Sequence, residues 1–542
     1  MNKFNEVNEK IGKYRWTICA LLFVATTMNY TDRQVLALLK DVLEVEFNWT
    51  DTDYANITAT FQFTYAFAML FAGRFIDWLG TKWGYTWALV WWTIAGIGHG
   101  FATGKFSFMA LRAALGIGEA GGFPAAIKAT AEYFPKKERA LATGIFNSGT
   151  NVGAIITPLI VPWIVANWGW QWAFYIIAGT NLPWLFFWLW LYEIPSMQKR
   201  LKRKEYEHVM SDNESVVAAR PIDTDPALKV KWYKSYFEKT EKPVDAAEPA
   251  TKWYKEWGKL LTYRQTWSFA IGKFMTDGVW WFFLFWLPAY LKAVYGMTGK
   301  EIMLPIAVLY TMTCVGSIGG GAFPMYFINR GYEPYAGRMR AMMIIAFFPL
   351  VVLAAQPLGG ISFWVPVVLI GIGASAHQAW SCNIFTTVSD MFPKKSVASV
   401  TGIGGMAGGV GGIIINKIGG WVFDAYRQSG IADFWTKVKD TDLASIAETI
   451  KNTELINRHG QIINLNIKEL GDLPKEAMAH LQSSTSLTME QINQLIAFQK
   501  PIVQESMSTS YAIMFTYCAV AYIFARIIMK SLVPKHKPIT DY

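Results

Sequence analysis

The chain alternates long apolar stretches with short polar punctuation. No Asp, Glu, Lys or Arg occurs from Leu141 to Tyr192, from Ile302 to Asn329, from Ala341 to Ser389, or from Ser506 to Ala525. A charge at the centre of a bilayer costs about 2.5 to 3.5 kcal/mol on insertion scales, and a spanning helix needs roughly 20 apolar residues. These runs therefore read as membrane helices, and the first and third are long enough for two spans each. Asn167-Trp168-Gly169-Trp170 and Gln356-Pro357-Leu358-Gly359-Gly360 supply the dividing turns. With the shorter stretches added, the pattern predicts an all-α membrane protein of twelve transmembrane helices, near 15–37, 54–78, 83–103, 107–133, 140–166, 170–192, 267–291, 302–327, 340–356, 362–388, 397–424 and 507–530.

Composition agrees: of 542 residues, 53% are hydrophobic and 25 are Trp, more apolar material than one water-soluble core uses. The net charge of +10 raises nucleic acid as a partner, but the basic residues fall on alternate loops. Lys82, Lys136, Lys137, Arg139, Arg330, Arg338, Arg340, Lys394, Lys395, Lys535 and Lys537 share one side if both termini are cytoplasmic. The loop after the first span carries Asp41, Glu44, Glu46, Asp51 and Asp53, which puts it outside. The lipid bilayer, not nucleic acid, explains the charge, and the expected place is the cytoplasmic (inner) membrane, multi-pass. Lys3, Lys10, Lys13 and Arg15 precede a first span without a small-residue cleavage pattern, which reads as an uncleaved helix. Cys19, Cys314, Cys382 and Cys518 lie inside spans without metal spacing, so they read as packing residues, and neither disulfide, metal nor cofactor is expected.

Two polar stretches divide the helices. Residues 193–266 read as a cytoplasmic linker opened by Lys199-Arg-Leu-Lys-Arg-Lys204, and residues 425–505 as a polar extracytoplasmic insert, a small cap. Phe134-Pro-Lys-Lys137 before Ala140 and Thr143-Gly144 recurs as Phe392-Pro-Lys-Lys395 before Ala398 and Thr401-Gly402. That repeat predicts two pseudo-symmetric six-helix bundles, 1–192 and 267–542, with a binding site between them.

Ionisable residues inside spans are expensive, so the few present are functional candidates. Asp32 and Arg33 end the first span, Arg112 and Glu119 lie in the fourth, and Lys273 with Asp277 begins the seventh. Neighbours on a helix point about 100° apart, which sends Asp32 and Arg33 to different partners, both edging a central cavity. Arg112 and Glu119 are seven residues apart and share a face. Guanidinium groups at 33 and 112 would hold a carboxylate by charge-assisted hydrogen bonds, with Asp32 and Glu119 as proton carriers. The run Gly116-Ile-Gly118-Glu-Ala-Gly121-Gly122 opens room beside Glu119. The bland readings are a packing arginine for Arg112 and a water-reaching helix end for Asp32-Arg33. Lys273 reads as a snorkelling residue near a cytoplasmic helix end. His377 falls opposite Glu119 by the repeat offset, or is a packed neutral ring. Trp280 and Tyr290, from the aromatic run of the seventh span, are candidates to stack on a sugar face. Tyr30, Tyr65, Trp380 and Asn383 read equally as ligand contacts or packing.

Gly73-Arg-Phe-Ile-Asp77-Trp-Leu-Gly80-Thr-Lys82, after the second span, resembles the signature loop of the major facilitator superfamily, where it forms a cytoplasmic latch. Asn29-Tyr30-Thr31-Asp32-Arg33, Arg112 through Gly122, Trp280-Trp-Phe with Phe285-Trp286-Leu287-Pro288, and His377-Gln-Ala-Trp380-Ser-Cys-Asn383 leading to Asp390-Met-Phe-Pro393 are similar to the anion:cation symporter family, especially its hexuronate transporters. The resemblance implies proton-coupled import of sugar acids, with Arg33 and Arg112 as anion-binding residues, Asp32 and Glu119 as protonatable carboxylates, and Tyr30 and Tyr65 as cavity tyrosines. It covers the spans but neither polar insert. Expected partners are a small anionic sugar acid and protons, and the expected state is a monomer. Transport of an aldonate such as galactonate is the near alternative, and a non-transporting solute sensor the alternative of another class. A membrane enzyme lacks a nucleophile, base and acid constellation.

Overall fold

The computed structural model describes residues 11–540 apart from 48, 50, 212–252, 298, 456–462, 467, 468, 474 and 486. Most of the expected linker therefore lies outside the described residues. The described secondary structure is helical, with no strand. Helices stand at each expected place: α1 Tyr14–Leu38, α2 Asp51–Leu79, α3 Thr81–Gly98, α4 in two pieces Lys105–Glu119 and Gly122–Tyr133, α5 Lys136–Trp168 and α6 Trp170–Leu191. The later ones are α7 Arg264–Tyr295, α8 Met303–Ile328, α9 Pro334–Ala354, α10 Trp364–Met391, α11 Val397–Lys437 and α12 Met489–Leu532.

Seven of these elements, α5, α6 and α8 to α12, are long and apolar enough to cross a membrane by themselves. The other five are the ones that carry most of the ionisable residues within spans, among them Arg33, Asp77, Arg112, Glu119, Lys273 and Asp277. Arg33, Asp77, Lys273 and Asp277 lower the apolarity of α1, α2 and α7, whereas α4 is broken into pieces of 15 and 12 residues and α3 is only 18 residues long. Local chemistry sets several ends. Gly169 takes φ 89° between α5 and α6, where an L side chain would be strained, and Pro334 opens α9 at a position with no hydrogen bond to lose.

The two halves of the chain meet along two seams, α2 on α11 and α5 on α8. Each seam is a backbone contact. A Cβ at Gly73 would stand 2.2 Å from the Ala398 carbonyl oxygen, and one at Gly402 would stand 2.2 Å from that of Met69. In the other seam the corresponding distances are 2.4 Å from Gly321 to the Ala140 oxygen and 2.3 Å from Gly144 to the Ser317 oxygen. The repeat positions Ala140 and Gly144 thus use α8 as Ala398 and Gly402 use α2. Only glycine lets helices approach this closely.

The insert is less separate than its polarity implies. α11 and α12 run 41 and 44 residues, about 62 and 66 Å at 1.5 Å per residue, against a hydrocarbon core of about 30 Å. Both helices continue well past the predicted ends at 424 and 507. Between them Ala444–Asn452 and Lys475–Ser484 form short helices over a dry interior of Phe434, Val438, Ile450, Leu470, Leu481 and Leu495. Charges such as Asp424 and Arg427 end the apolar run while the helix itself continues, because helix formation requires no lipid.

Candidate functional site

α1, α2 and α4 build the first wall of the site. Tyr30, Arg33, Gln34 and Ala37 fall at helical intervals on α1 and line its cavities, as Thr58, Phe61, Gln62, Tyr65 and Met69 do on α2. Arg33 Nε donates to Glu119 Oε2 at 2.5 Å, and the Glu119 side chain is fully buried. The Arg33 guanidinium lies 4.3 Å from the Tyr65 ring centroid, 4.8 Å from Tyr30 and 5.3 Å from Phe61. Such ring faces hold a cation without neutralising it. Arg112 is 3% exposed and sits 5.9 Å from the same Phe61 ring. Its Nε and Nη2, the Arg33 Nη2 and the Glu119 Oε1 lack hydrogen-bond partners among the described residues. A buried guanidinium nitrogen without an acceptor is costly, so the cluster leaves three donor atoms and one carboxylate oxygen unsatisfied.

Asp32 departs from the expectation that it edges the cavity. It points from α1 toward α6, where Asn181 Nδ2 donates to its Oδ2 at 3.1 Å, and it lines neither cavity. The turn of about 100° between neighbours accounts for this: Arg33 takes the cavity face and Asp32 the next. Asp32 still feels the charges of Glu119, Arg112 and Arg33. The glycines beside Glu119 serve contact more than open space, since a Cβ at Gly116 would stand 2.5 Å from Thr64 Oγ1 and one at Gly118 2.6 Å from Trp91.

The second wall comes from α7, α10 and α11. Lys273, Asp277, Trp280 and Trp281 follow the spacing i, i+4, i+7, i+8, and His377, Gln378, Ser381 and Phe385 follow i, i+1, i+4, i+8, so each set is one helix face. His377 stacks on Trp280 at 5.3 Å and shares a 2.8 Å hydrogen bond with the Tyr522 hydroxyl. Lys273 corrects the sequence expectation: it does not snorkel to a helix end but is 3% exposed and lines the chamber. Tyr290, Trp380 and Asn383 are corrections in the opposite sense. Tyr290 packs against Tyr511 and Phe515, Trp380 is fully buried against Tyr522, and Asn383 Nδ2 donates to the Gly320 and Ala379 carbonyls. All three lie off the cavity-facing stripe of their helix. The stripe brings in Trp281, from the aromatic run of the seventh span, and Gln378 and Ser381, which sequence reasoning missed and which helical spacing from His377 would have found. Asn147 on α5 is also missed; its Nδ2 donates to Gln378 Oε1 at 2.6 Å across the halves.

These walls enclose a central chamber of about 60 Å³, lined by Tyr30, Arg33, Tyr65, Lys273, Asp277 and His377 among others. A larger cavity of about 360 Å³ adjoins it through the shared Tyr30, Arg33 and Trp281, and includes Arg112, Tyr54, Pro288 and Tyr310. It lies toward the C-terminal end of α1, the face opposite the lysine-rich loops.

On the lysine-rich face the latch residues divide. Asp77 Oδ1 accepts from Lys128 Nζ at 2.8 Å, while its Oδ2 accepts from both the backbone N and the Oγ of Ser399 at 2.6 Å. One carboxylate therefore joins α2, α4 and α11. Gly73 supplies the backbone contact beside it, and Gly80 takes φ 79° to turn the chain into α3. Lys82 stays within its own half, paired with Glu193 at 2.7 Å. The remaining ties were not foreseen: Arg139 donates to the Ser389 carbonyl, and Arg338, paired with Asp390 at 2.8 Å, donates to the Lys136 carbonyl.

Comparison with known proteins gives this geometry its context. The sequence profile of the Major Facilitator Superfamily matches residues 22–415. The chain is 28% identical to the hexuronate transporter of Escherichia coli (strain K12) over 458 residues, which is 82% of this chain and 98% of that one. It is 29% identical to the galacturonate transporter of Dickeya chrysanthemi over 318 residues, 59% of this chain and 84% of that one. It is 26% identical to the D-galactonate transporter of Escherichia coli O6:H1 over 420 residues, 77% of this chain and 91% of that one. Among solved structures, the proton:xylose symporter XylE bound to 6-bromo-6-deoxy-D-glucose superposes with a TM-score of 0.54 at 13% identity, covering 74% of this chain and 87% of that one. At that identity the likeness concerns the fold alone.

Proposed function

The chain belongs to the Major Facilitator Superfamily, and from that premise we propose that it imports a hexuronate, such as glucuronate or galacturonate, by proton symport through alternating access. The observation that carries the reading is the Arg33–Glu119 pair, set between aromatic rings at a cavity wall and next to the partly unpartnered Arg112. The family relationship makes the chain a membrane transporter, and this pair is what supports the reading of an anion and of proton coupling.

The mechanism is competition for one cation. With Glu119 ionised, its carboxylate occupies Arg33 and the pair is neutral. A proton on Glu119 weakens that pair and leaves the guanidinium to a ligand carboxylate, which it reads through parallel N–H donors. Arg112 strengthens the positive field from the larger cavity. Asp32, held by Asn181 and coupled electrostatically to Glu119, passes the proton onward, since each negative charge disfavours the other. Tyr30 and Tyr65 hold Arg33 in place, and Trp280, stacked on His377, offers a flat apolar surface to a sugar ring. Proton and anion then enter together because each favours the state the other requires.

Alternating access needs a seam that opens. The glycine contacts and the Asp77, Arg139 and Arg338 ties close the lysine-rich face while the larger cavity lies toward the other. In this reading two six-helix halves rock about the chamber, both termini face the cytoplasm, and the protein works as a monomer in the inner membrane. The relative named for D-galactonate supports a second reading, import of an aldonate, because the arginines read the carboxylate and leave the rest of the sugar to the second wall. Radiolabelled galacturonate uptake into vesicles with an imposed pH gradient tests the choice. Accumulation that unlabelled glucuronate blocks better than galactonate is expected; the reverse order favours the aldonate, and uptake insensitive to every sugar acid overturns both.

A further inference from the structure

The chamber contains a second ion pair that the coupling scheme does not use. Lys273 Nζ stands 2.7 Å from Asp277 Oδ2 on α7, and 3.9 Å from the Phe385 ring centroid on α10. The Lys273 side chain is 4% exposed and that of Asp277 is 16% exposed. Both line the same chamber as Tyr30, Arg33 and Tyr65. The recess holding the carboxylate is built into α11, where a Cβ at Gly408 would stand 2.2 Å from Asp277 Oδ2.

A pair buried at this depth gives little stability over apolar residues of the same size, because desolvation of both ions offsets their attraction. Its placement matches that of Arg33 and Glu119: a cation at the chamber wall, held by a carboxylate from its own half of the chain, with an aromatic face against the cation. The first pair lies on the amino-terminal wall and the second on the carboxy-terminal wall.

We propose that Lys273 is a second anion-reading group, which receives the end of the ligand remote from Arg33 while Asp277 holds the ammonium until the ligand arrives. The proposal rests on the sugar-acid reading and extends it to the far end of the substrate. A hexuronate ring presents hydroxyl oxygens there, to which an ammonium donates. A six-carbon sugar diacid presents a second carboxylate there, which takes the place of the Asp277 carboxylate at Lys273 in a charge-assisted contact stronger than a hydroxyl makes. The site therefore takes sugar acids with one or two carboxylates, and Lys273 sets the preference between them.

The test uses the full chain in proteoliposomes, with labelled galacturonate counterflow competed by unlabelled galactarate. In the parent chain galactarate should compete. In Lys273→Gln the concentration of galactarate needed for half-inhibition should rise by about tenfold, the scale of one charge-assisted hydrogen bond, while that of unlabelled galacturonate rises by about threefold or less. The double variant Lys273→Met, Asp277→Leu removes both charges without stranding either, so it should keep its thermal stability and show the same selective loss. Galactarate that fails to compete in the parent chain, or competes equally well in parent and Lys273→Gln, overturns the inference, as does unaltered selectivity in the double variant. If the parent chain exchanges no galacturonate at all, it is the sugar-acid reading that has failed.

Discussion

The Asp77 and Arg139 ties on the lysine-rich face and the cluster of Arg33, Arg112 and Glu119 treat polar groups in opposite ways. At the seam each oxygen of the Asp77 carboxylate has a donor, and the Arg139 guanidinium spreads over the Phe134, Ala131 and Ser389 carbonyls. Beside the cavities Arg33, Arg112 and Glu119 each leave atoms without partners among the described residues. Saturated groups hold one arrangement, whereas unsaturated ones favour a state in which something else completes them. On the proposed mechanism, the difference separates what keeps the two halves together from what lets a ligand change their balance.

Substitutions can break this contrast at either end. The largest effect is expected from Asp77→Asn, which leaves Lys128 buried without its counter-ion; breaking such a pair costs about 3–5 kcal/mol, so uptake should fall below detection while ligand binding persists. Binding measured on the purified variant separates the two, and uptake at the parent rate removes Asp77 from the seam. Gly402→Leu comes next. Its side chain would drive into the Met69 carbonyl, an overpacking cost of about 1–3 kcal/mol that should slow uptake roughly five- to a hundredfold without altering ligand affinity.

Arg112→Lys probes the larger cavity instead. It keeps the charge but loses the planar fork, so affinity for galacturonate should weaken by about tenfold, measured by calorimetry, with the seam undisturbed. Unchanged affinity would make Arg112 a packing residue. The smallest effect belongs to Lys82→Gln, because the Lys82–Glu193 pair is 20% and 38% exposed, lies within one half, and is worth about 1 kcal/mol or less. Uptake near the parent rate is expected there, and a loss like that of Asp77→Asn would restore Lys82 to the latch.

Seven helix positions were readable in the sequence from length and average apolarity alone, and the other five from shorter apolar stretches set between polar loops. Which face of each helix meets the chamber depends on rotation about the helix axis, a finer property. Trp380 and Asn383 attracted attention as polar groups at mid-depth, yet helical spacing from His377 selects Gln378, Ser381 and Phe385. Lys273 was misjudged for a related reason: nearness to a helix end in sequence says nothing about whether the side chain leans outward to water or inward to a cavity. The Phe-Pro-Lys-Lys repeat pointed to related halves, but its glycines became intelligible only when Gly402 and Gly144 were seen against the Met69 and Ser317 carbonyls. The insert was legible as polar and illegible as helix, since the charges that stop a membrane span do not stop a helix in water.

Proton exchange on ligand binding tests the central competition most directly. When galacturonate is added to the purified protein in weakly buffered solution near neutral pH, the account predicts uptake of protons from solution as Glu119 gives up Arg33 to the ligand. Glu119→Gln should bind with no such uptake. Binding by the parent chain without any proton change, or the same proton uptake by Glu119→Gln, would contradict the account.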